Sequence, residues 1–304
     1  MQDELARNRR DKTLAPGKGR ITSEGMIRRN AAHLGMAMRW WWRERRIPTV
    51  CPFVYAIRPR AAAPRSELAT WSLDQLGWFF TTAQEISDYY AFYLAAVSTT
   101  LREADLCGLA RPDVDLDCQG GPRLQVRQQL YRMTGDDRIV VTEHPKTASG
   151  FRTLPIADAL VPELRGIFAA QDEERKRRGI CPAGICCEAV DCERYHGDHV
   201  LVFAQPNGKP LWARNITNRD LPSILNRMQA LMPSLRRVTF HDLRRMEATF
   251  IQQEVGPKGI QYLLGHKDPN VSLRIYAHNN PEILAAPINR FIGQVLAGGP
   301  GKDE

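Results

Sequence analysis

The sequence predicts a mainly α protein with one small antiparallel β-sheet (α+β), on three observations. Beyond Ser72, apolar residues recur mostly at three- and four-residue spacing, the period of helices that bury one face. Alternating and β-branched residues concentrate in a single stretch, 123–156, which has room for three short strands. Hydrophobic residues make up 43% and charged residues 25% of the 304 positions, a balance suited to one large soluble domain and part of a second. No run approaches the ~18 apolar residues of a membrane helix, and the polar, charged N-terminus is unlike a signal peptide. The expectation is a cytoplasmic protein with no membrane partner, whose seven cysteines are reduced thiols or metal ligands rather than disulfides.

Charge is unevenly placed. Residues 1–65 hold fifteen Lys and Arg against five Asp and Glu, whereas 66–304 hold 27 against 29. A basic arm of this kind is ordinarily a solvated tail; contact with phosphates is the second reading. Residues 1–20 lack apolar periodicity and read as flexible. Ser23 is placed to cap a helix whose apolar positions Ile27, Ala31, Leu34, Met38 and Trp41 or Trp42 are interleaved with Arg28, Arg29, Arg39 and Arg43. Residues 1–47 are thus a basic arm and helical element, 48–65 a stiff Pro- and Arg-rich linker, 66–296 the main domain and 297–304 a tail.

Within the main domain, Ser72-Leu-Asp-Gln starts a helix with Leu76, Phe79 and Phe80 on its core face. A second helix runs through ISDYYAFYLAAVST to Thr100. Arg102 and Asp105 follow, three apart, and a surface ion pair is the plain reading of that pair alone. In the β region LQVRQQLYRM is one strand, Gly135-Asp136-Asp137 a turn, RIVVTE a second strand and FRTLPI a third, with HPKTASG between the last two. An amphipathic helix spans about 162–178. The insertion 181–199 then packs Cys181, Cys186, Cys187, Cys192, His196 and His199 into nineteen residues. Four of these could hold a tetrahedral structural zinc. Their spacings, Cys-x4-Cys and His-x2-His, differ from the usual Cys-x2-Cys, and a cysteine-bearing surface insertion is the other reading. Neither reading makes the cluster catalytic. VLVFAQPNGKPLWARNIT leads on to helices on either side of Pro233.

The densest chemistry lies in 239–279. His241 and Arg244 lie on one helix side, while Leu243, Met246 and Phe250 bury another. Gly256-Pro257 breaks the segment; Ile260, Leu263 and Leu264 form a short second helix that Gly265 ends. His266 follows at once, and Tyr276 sits among polar neighbours in VSLRIYAH. Singly, each histidine or tyrosine is ordinarily a satisfied structural group. The ordered set His-x-x-Arg, Leu-Gly-His, Tyr instead resembles the signature of the tyrosine recombinases, the phage integrase family.

That resemblance covers roughly three-quarters of the chain and implies a tyrosine recombinase catalytic-domain fold over 66–296, preceded by a partial helical core-binding domain. Helix 23–43 resembles the last helix of that clamping domain, which normally has four or more helices; one or two are legible here. Arg102-x-x-Asp105, about 140 residues before His241, resembles the segment that supplies a first arginine. Thr100 stands where glycine is usual, and because threonine tolerates fewer backbone shapes a different local turn is expected. Lys146, followed by Arg152-Thr-Leu-Pro-Ile, matches the family's lysine on a β-hairpin, with His144 and Arg152 its nearest competitors.

The implied catalytic set is Arg102, Lys146, His241, Arg244, His266 and Tyr276. Two arginines can each grip nonbridging phosphate oxygens with parallel N–H donors. Tyr276 is then the nucleophile that forms a 3′-phosphotyrosyl bond, and Lys146 the acid for the leaving 5′-oxygen. His241 helps to accept the tyrosine proton, and His266 donates to the phosphate. No metal or nucleotide cofactor is required. The implied partner is double-stranded DNA at specific sites, bound by a homotetramer in a bacterial or phage, nucleoid-associated setting. The helix carrying Ile283, Leu284, Ile288, Phe291, Ile292 and Val295 either packs on its own domain or is exchanged between protomers. Type IB topoisomerase-like relaxation, or DNA binding without activity, are the alternative functions.

Overall fold

A computed structural model describes residues 24–46, 51, 71–132, 139–142, 151–178, 201–205, 210–265 and 282–298. The chain separates into two units, Met1–Ala69 and Thr70–Glu304. In the first unit, helix α1 spans Glu24–Glu44. Trp41 and Trp42 meet edge to face, and the Arg45 guanidinium lies 5.9 Å from the Trp41 ring centre. Of the predicted apolar stripe Ile27 is buried, but Leu34 and Trp41 are 52% and 42% exposed. The predicted Ser23 cap, the arm and nearly all of the linker lie outside the described residues.

In the second unit α2 spans Leu73–Ile86, α3 Tyr90–Thr99 and α4 Glu103–Gly108. Ser72 caps α2 as its sequence predicts: its hydroxyl accepts the Gln75 N–H at 3.2 Å while Gln75 Oε1 accepts the Ser72 N–H at 3.1 Å. The second helix begins only at Tyr90, because α2 runs on through Ile86 and Ser87 closes it by donating its N–H to Ala83 O. Ser87 Oγ and the Tyr93 hydroxyl both donate to Asp220 Oδ1 at 2.7 Å, which pins this turn to the middle of the chain. Helix α3 is buried from Phe92 to Thr99, the behaviour of a helix that is apolar all round. Phe92 and Tyr93 pack there against Phe79, Phe203 and Phe240.

The β region departs from the prediction. Strands β1 (Val114–Asp115), β2 (Arg123–Val126) and β5 (Arg152–Pro155) form one antiparallel sheet in the order β1-β2-β5, while β3 (Gln129–Arg132) and β4 (Ile139–Thr142) form a separate pair. LQVRQQLYRM is therefore two strands in two sheets. Side chains at the break explain the split: Arg127 pairs with Asp113 at 3.2 Å, and Gln128 Nε2 donates to Gly108 O at 2.6 Å. Strand β4 pairs with β3 and β5 with β2; the stretch between them that carries Lys146 lies outside the described residues.

Helix α5 (Val161–Arg178) follows. Ala213–Asn215 continues through a wider π-type turn, Ile216–Asp220, into α6 (Leu221–Leu231). Helix α7 (Phe240–Leu264) bends at Gly256, whose φ of 69° and ψ of 171° are not helical, and ends in the left-handed Gly265, both as the sequence predicts. Helix α8 (Glu282–Ala297) buries Leu284, Ile288, Phe291, Ile292 and Val295 on its own domain, leaving Ile283 57% exposed. Phe291 stacks on Phe250. A Cβ at Gly77 of α2 would lie 2.4 Å from Val295 O, so the α2–α8 approach requires glycine. Among the described residues no helix is long and apolar enough to cross a membrane.

Candidate active site

Arg102, His241 and Arg244 come together where α3, α4 and α7 meet. Lys146, His266, Tyr276 and the 181–199 cysteine and histidine cluster lie outside the described residues, among which no group of three or more metal-ligating side chains occurs.

Arg102 stands at the N-cap of α4, two residues after a turn at Thr100 with φ 49° and ψ 27°. Threonine thus takes a left-handed conformation of the kind that glycine adopts freely. The compensation is visible: Thr100 is fully buried and its Oγ1 donates to Leu263 O at 2.7 Å, a contact that can offset left-handed strain of about 1–2 kcal/mol.

Asp105, read from sequence as half of a surface pair, is a buried hub. Its Oδ2 accepts the Arg102 N–H at 3.1 Å and lies 3.9 Å from Arg102 Nη1, whose side chain stays 44% exposed. Gln129 of β3 donates to its Oδ1, and buried Arg152 of β5 approaches to 3.7 Å. One carboxylate therefore fixes the Arg102 turn and both small sheets. Burial weakens the hold of Arg152 on its proton, Asp105 restores it and Arg102 opposes it.

On α7, Thr239 caps the helix and exchanges bonds with Asp242. His241 and Arg244 are about 60° apart around the axis, so they share a side but not a depth. His241 is exposed at the first turn, whereas Arg244 is 2% exposed. Its Nη2 donates to Leu264 O at 2.6 Å; its Nε and Nη1 are buried without a hydrogen-bond partner among the described residues. The Gly256 bend lets the end of α7 return to its beginning, with Thr100 holding the Leu263 carbonyl and Arg244 the Leu264 carbonyl.

Electrostatics join the described groups. Burial, then Arg102 and Arg152, push the Arg244 pKa down to about 9, which leaves it charged at neutral pH. Partial burial, then Arg244 and Arg245, with a smaller push from Arg102, hold His241 below its ordinary 6.5, against a partial offset from Asp242. A neutral imidazole beside two guanidiniums can accept a proton, and the guanidiniums can hold an oxyanion. Two further contributors escaped the sequence reading. The buried Tyr262 hydroxyl donates to Thr153 O at 2.8 Å and accepts the Thr153 N–H at 3.2 Å. Glu247, fully buried one turn beyond Arg244, was legible only as an acid on the apolar stripe of Leu243 and Met246.

Residues 72–282 match the family model of the phage integrase family. A XerC-like tyrosine recombinase of Caldanaerobacter subterraneus is 29% identical over 199 residues, 63% of this chain and 46% of that protein. The transposase of transposon Tn916 from Enterococcus faecalis is 23% identical over 229 residues, 75% of this chain and 51% of that protein. The chain thus spans about half the length of the curated relatives it matches. In fold it is similar to the Tn1549 transposon integrase solved with transposon right-end DNA, at a TM-score of 0.59 and 19% identity over 95% of this chain and 91% of the other. The same integrase with circular intermediate DNA gives a TM-score of 0.61 at 20% identity over 91% and 80%. With the family model covering 72–282 and the fold shared with a solved integrase, this chain belongs to the phage integrase family.

Proposed function

We propose that this protein is a site-specific DNA recombinase that cleaves and rejoins strands through a 3′-phosphotyrosyl intermediate. The observation that carries the reading is the convergence of Arg102, at the N-cap of α4, with His241 and Arg244 in the first turns of α7. In cleavage the Tyr276 oxygen attacks the scissile phosphorus, its proton passing toward His241. The new phosphorus–tyrosine bond replaces the phosphorus–5′-oxygen bond, and Lys146 protonates the leaving 5′-oxygen. Arg102, Arg244 and His266 hold the nonbridging oxygens as negative charge builds. Because the phosphoryl linkage is conserved, a 5′-hydroxyl from another strand can reverse the step. The reaction asks for no metal or nucleotide; the 181–199 cluster, if it holds zinc, serves structure alone.

The relatives named above include a tyrosine recombinase and a transposase, which favours strand exchange over relaxation of one duplex. We infer double-stranded DNA sites as the substrate and a homotetramer as the working assembly. Exchange of α8 between protomers would reuse on a neighbour the packing it makes at home. The test is a pool of nicked suicide duplexes tiled across the DNA flanking the protein's own coding region, incubated in EDTA with wild type and Tyr276→Phe. The expected result is a covalent protein–DNA band with wild type alone. Retardation on a native gel without any such band would overturn the enzymatic reading, and relaxation of any supercoiled plasmid would favour a topoisomerase.

A further inference from the structure

Both arginines of the site are followed at the third position by an acid: Arg102-Glu-Ala-Asp105 and Arg244-Arg-Met-Glu247. Both acids are buried, Asp105 at 1% and Glu247 at 0% exposure. Asp105 is richly bonded, as described, and its role in fixing the Arg102 turn is plain. Among the described residues neither Glu247 oxygen has a partner at full hydrogen-bond geometry. The groups that favour its charged form are the Thr100 backbone N–H and the Arg244 guanidinium. A buried carboxyl left in this state is costly, and an apolar residue of similar size would suit the surrounding stripe of Leu243, Met246 and Ile251 better. Such a local conflict is the mark of a group kept for function.

We propose that Glu247 is a positioning residue for Arg244, registering its guanidinium against the Thr100 turn that presents Arg102, as Asp105 registers Arg102 against the sheets. Three features support it. Arg102, Arg152 and Arg244 carry like charge in one neighbourhood; Asp105 pairs with the first two directly, and Asp105 and then Glu247 act on Arg244 in the direction that keeps its charge. Arg244 is tethered through Nη2 alone, with Nε and Nη1 unpaired among the described residues. Contacts of this kind often tighten only when the substrate is gripped. Burial favours the protonated carboxyl, and the acceptor oxygen facing the Thr100 N–H is present in either form.

This inference rests on the proposed cleavage reaction, and the experiment separates the two. Glu247→Leu and Glu247→Gln are compared with wild type by thermal melting, by native-gel retardation and by the rate of covalent adduct formation on the same nicked duplexes. The leucine variant should melt no lower than wild type and bind DNA equally well, yet form adduct roughly 10- to 100-fold more slowly, the cost of a misplaced catalytic group. The glutamine variant keeps an acceptor oxygen and should recover most of the rate. Wild-type rates for Glu247→Leu would overturn the proposal. So would loss of its cooperative melt, which would make the carboxyl a structural requirement, or a glutamine variant as slow as the leucine. Absence of adduct with wild type would instead sink the cleavage reading, and the role of Glu247 with it.

Discussion

His241 and Arg244 sit one turn apart on α7, and their burial sorts their chemistry: the exposed imidazole stays free to exchange a proton while the buried guanidinium keeps a fixed charge. The lowered proton affinity of His241 has a sign that can be checked. A histidine whose folded pKa is depressed stabilises the fold above its ordinary 6.5, and that contribution is lost as pH falls through the lower folded value. Catalysis should follow the same limb. The single-turnover adduct rate, followed over about pH 5 to 8, should fall on the acid side with a midpoint below 6.5. His241→Gln should remove the limb and slow cleavage by about 10²- to 10⁴-fold. A midpoint above 6.5, or a limb that survives in the glutamine variant, would assign the proton to another group. Thr100 teaches a related lesson at this scale. Its β-branched side chain argues locally against a left-handed turn, and the Leu263 carbonyl that makes the turn tolerable lies 163 residues away.

Among the elements, what was legible in the sequence is what is decided locally. The Ser72 capping box, the Gly256 bend and the Gly265 cap each rest on neighbours within a turn, and each stands where its residues predict. The splitting of 123–132 between two sheets was not legible, because Gln128 and Gln129 choose their partners on α4, 20 and 24 residues back. Asp105 looked like a surface acid for the same reason: its burial is supplied by strands that come later in the chain. Tyr262 is a case where the long-range contact can be tested cleanly. Its hydroxyl occupies both backbone groups of Thr153 and so ties β5 to the last turns of α7. Tyr262→Phe should cost about 1–3 kcal/mol, since it strands a donor and an acceptor together. Urea unfolding gives the loss, and amide exchange at Thr153 should accelerate in step. A variant within about 0.5 kcal/mol of wild type, a change usual for surface substitutions away from such contacts, would mean that water takes over both bonds.

For the whole molecule, charge and chemistry are held in different places. Residues 66–304 carry 27 basic against 29 acidic side chains, so the part that holds the arginine cluster has no net attraction for a polyanion, while residues 1–65 carry fifteen against five. On the proposed function, affinity for the duplex should therefore come mainly from the N-terminal fifth through release of condensed counterions, and the arginine cluster should act on one phosphate. The logarithm of the binding constant falls with the logarithm of salt concentration by about 0.9 for each phosphate neutralised on duplex DNA. Removing residues 1–47, which include α1 and its arginines, should flatten that slope by several such steps. Arg244→Lys, which leaves the net charge alone, should keep the slope and lose cleavage by about 10²- to 10³-fold. Filter binding across a salt series, run beside the adduct assay, reads both quantities from the same preparations. An unchanged slope after the truncation would place the phosphate contacts on the second unit, where local clusters rather than net charge would have to supply them.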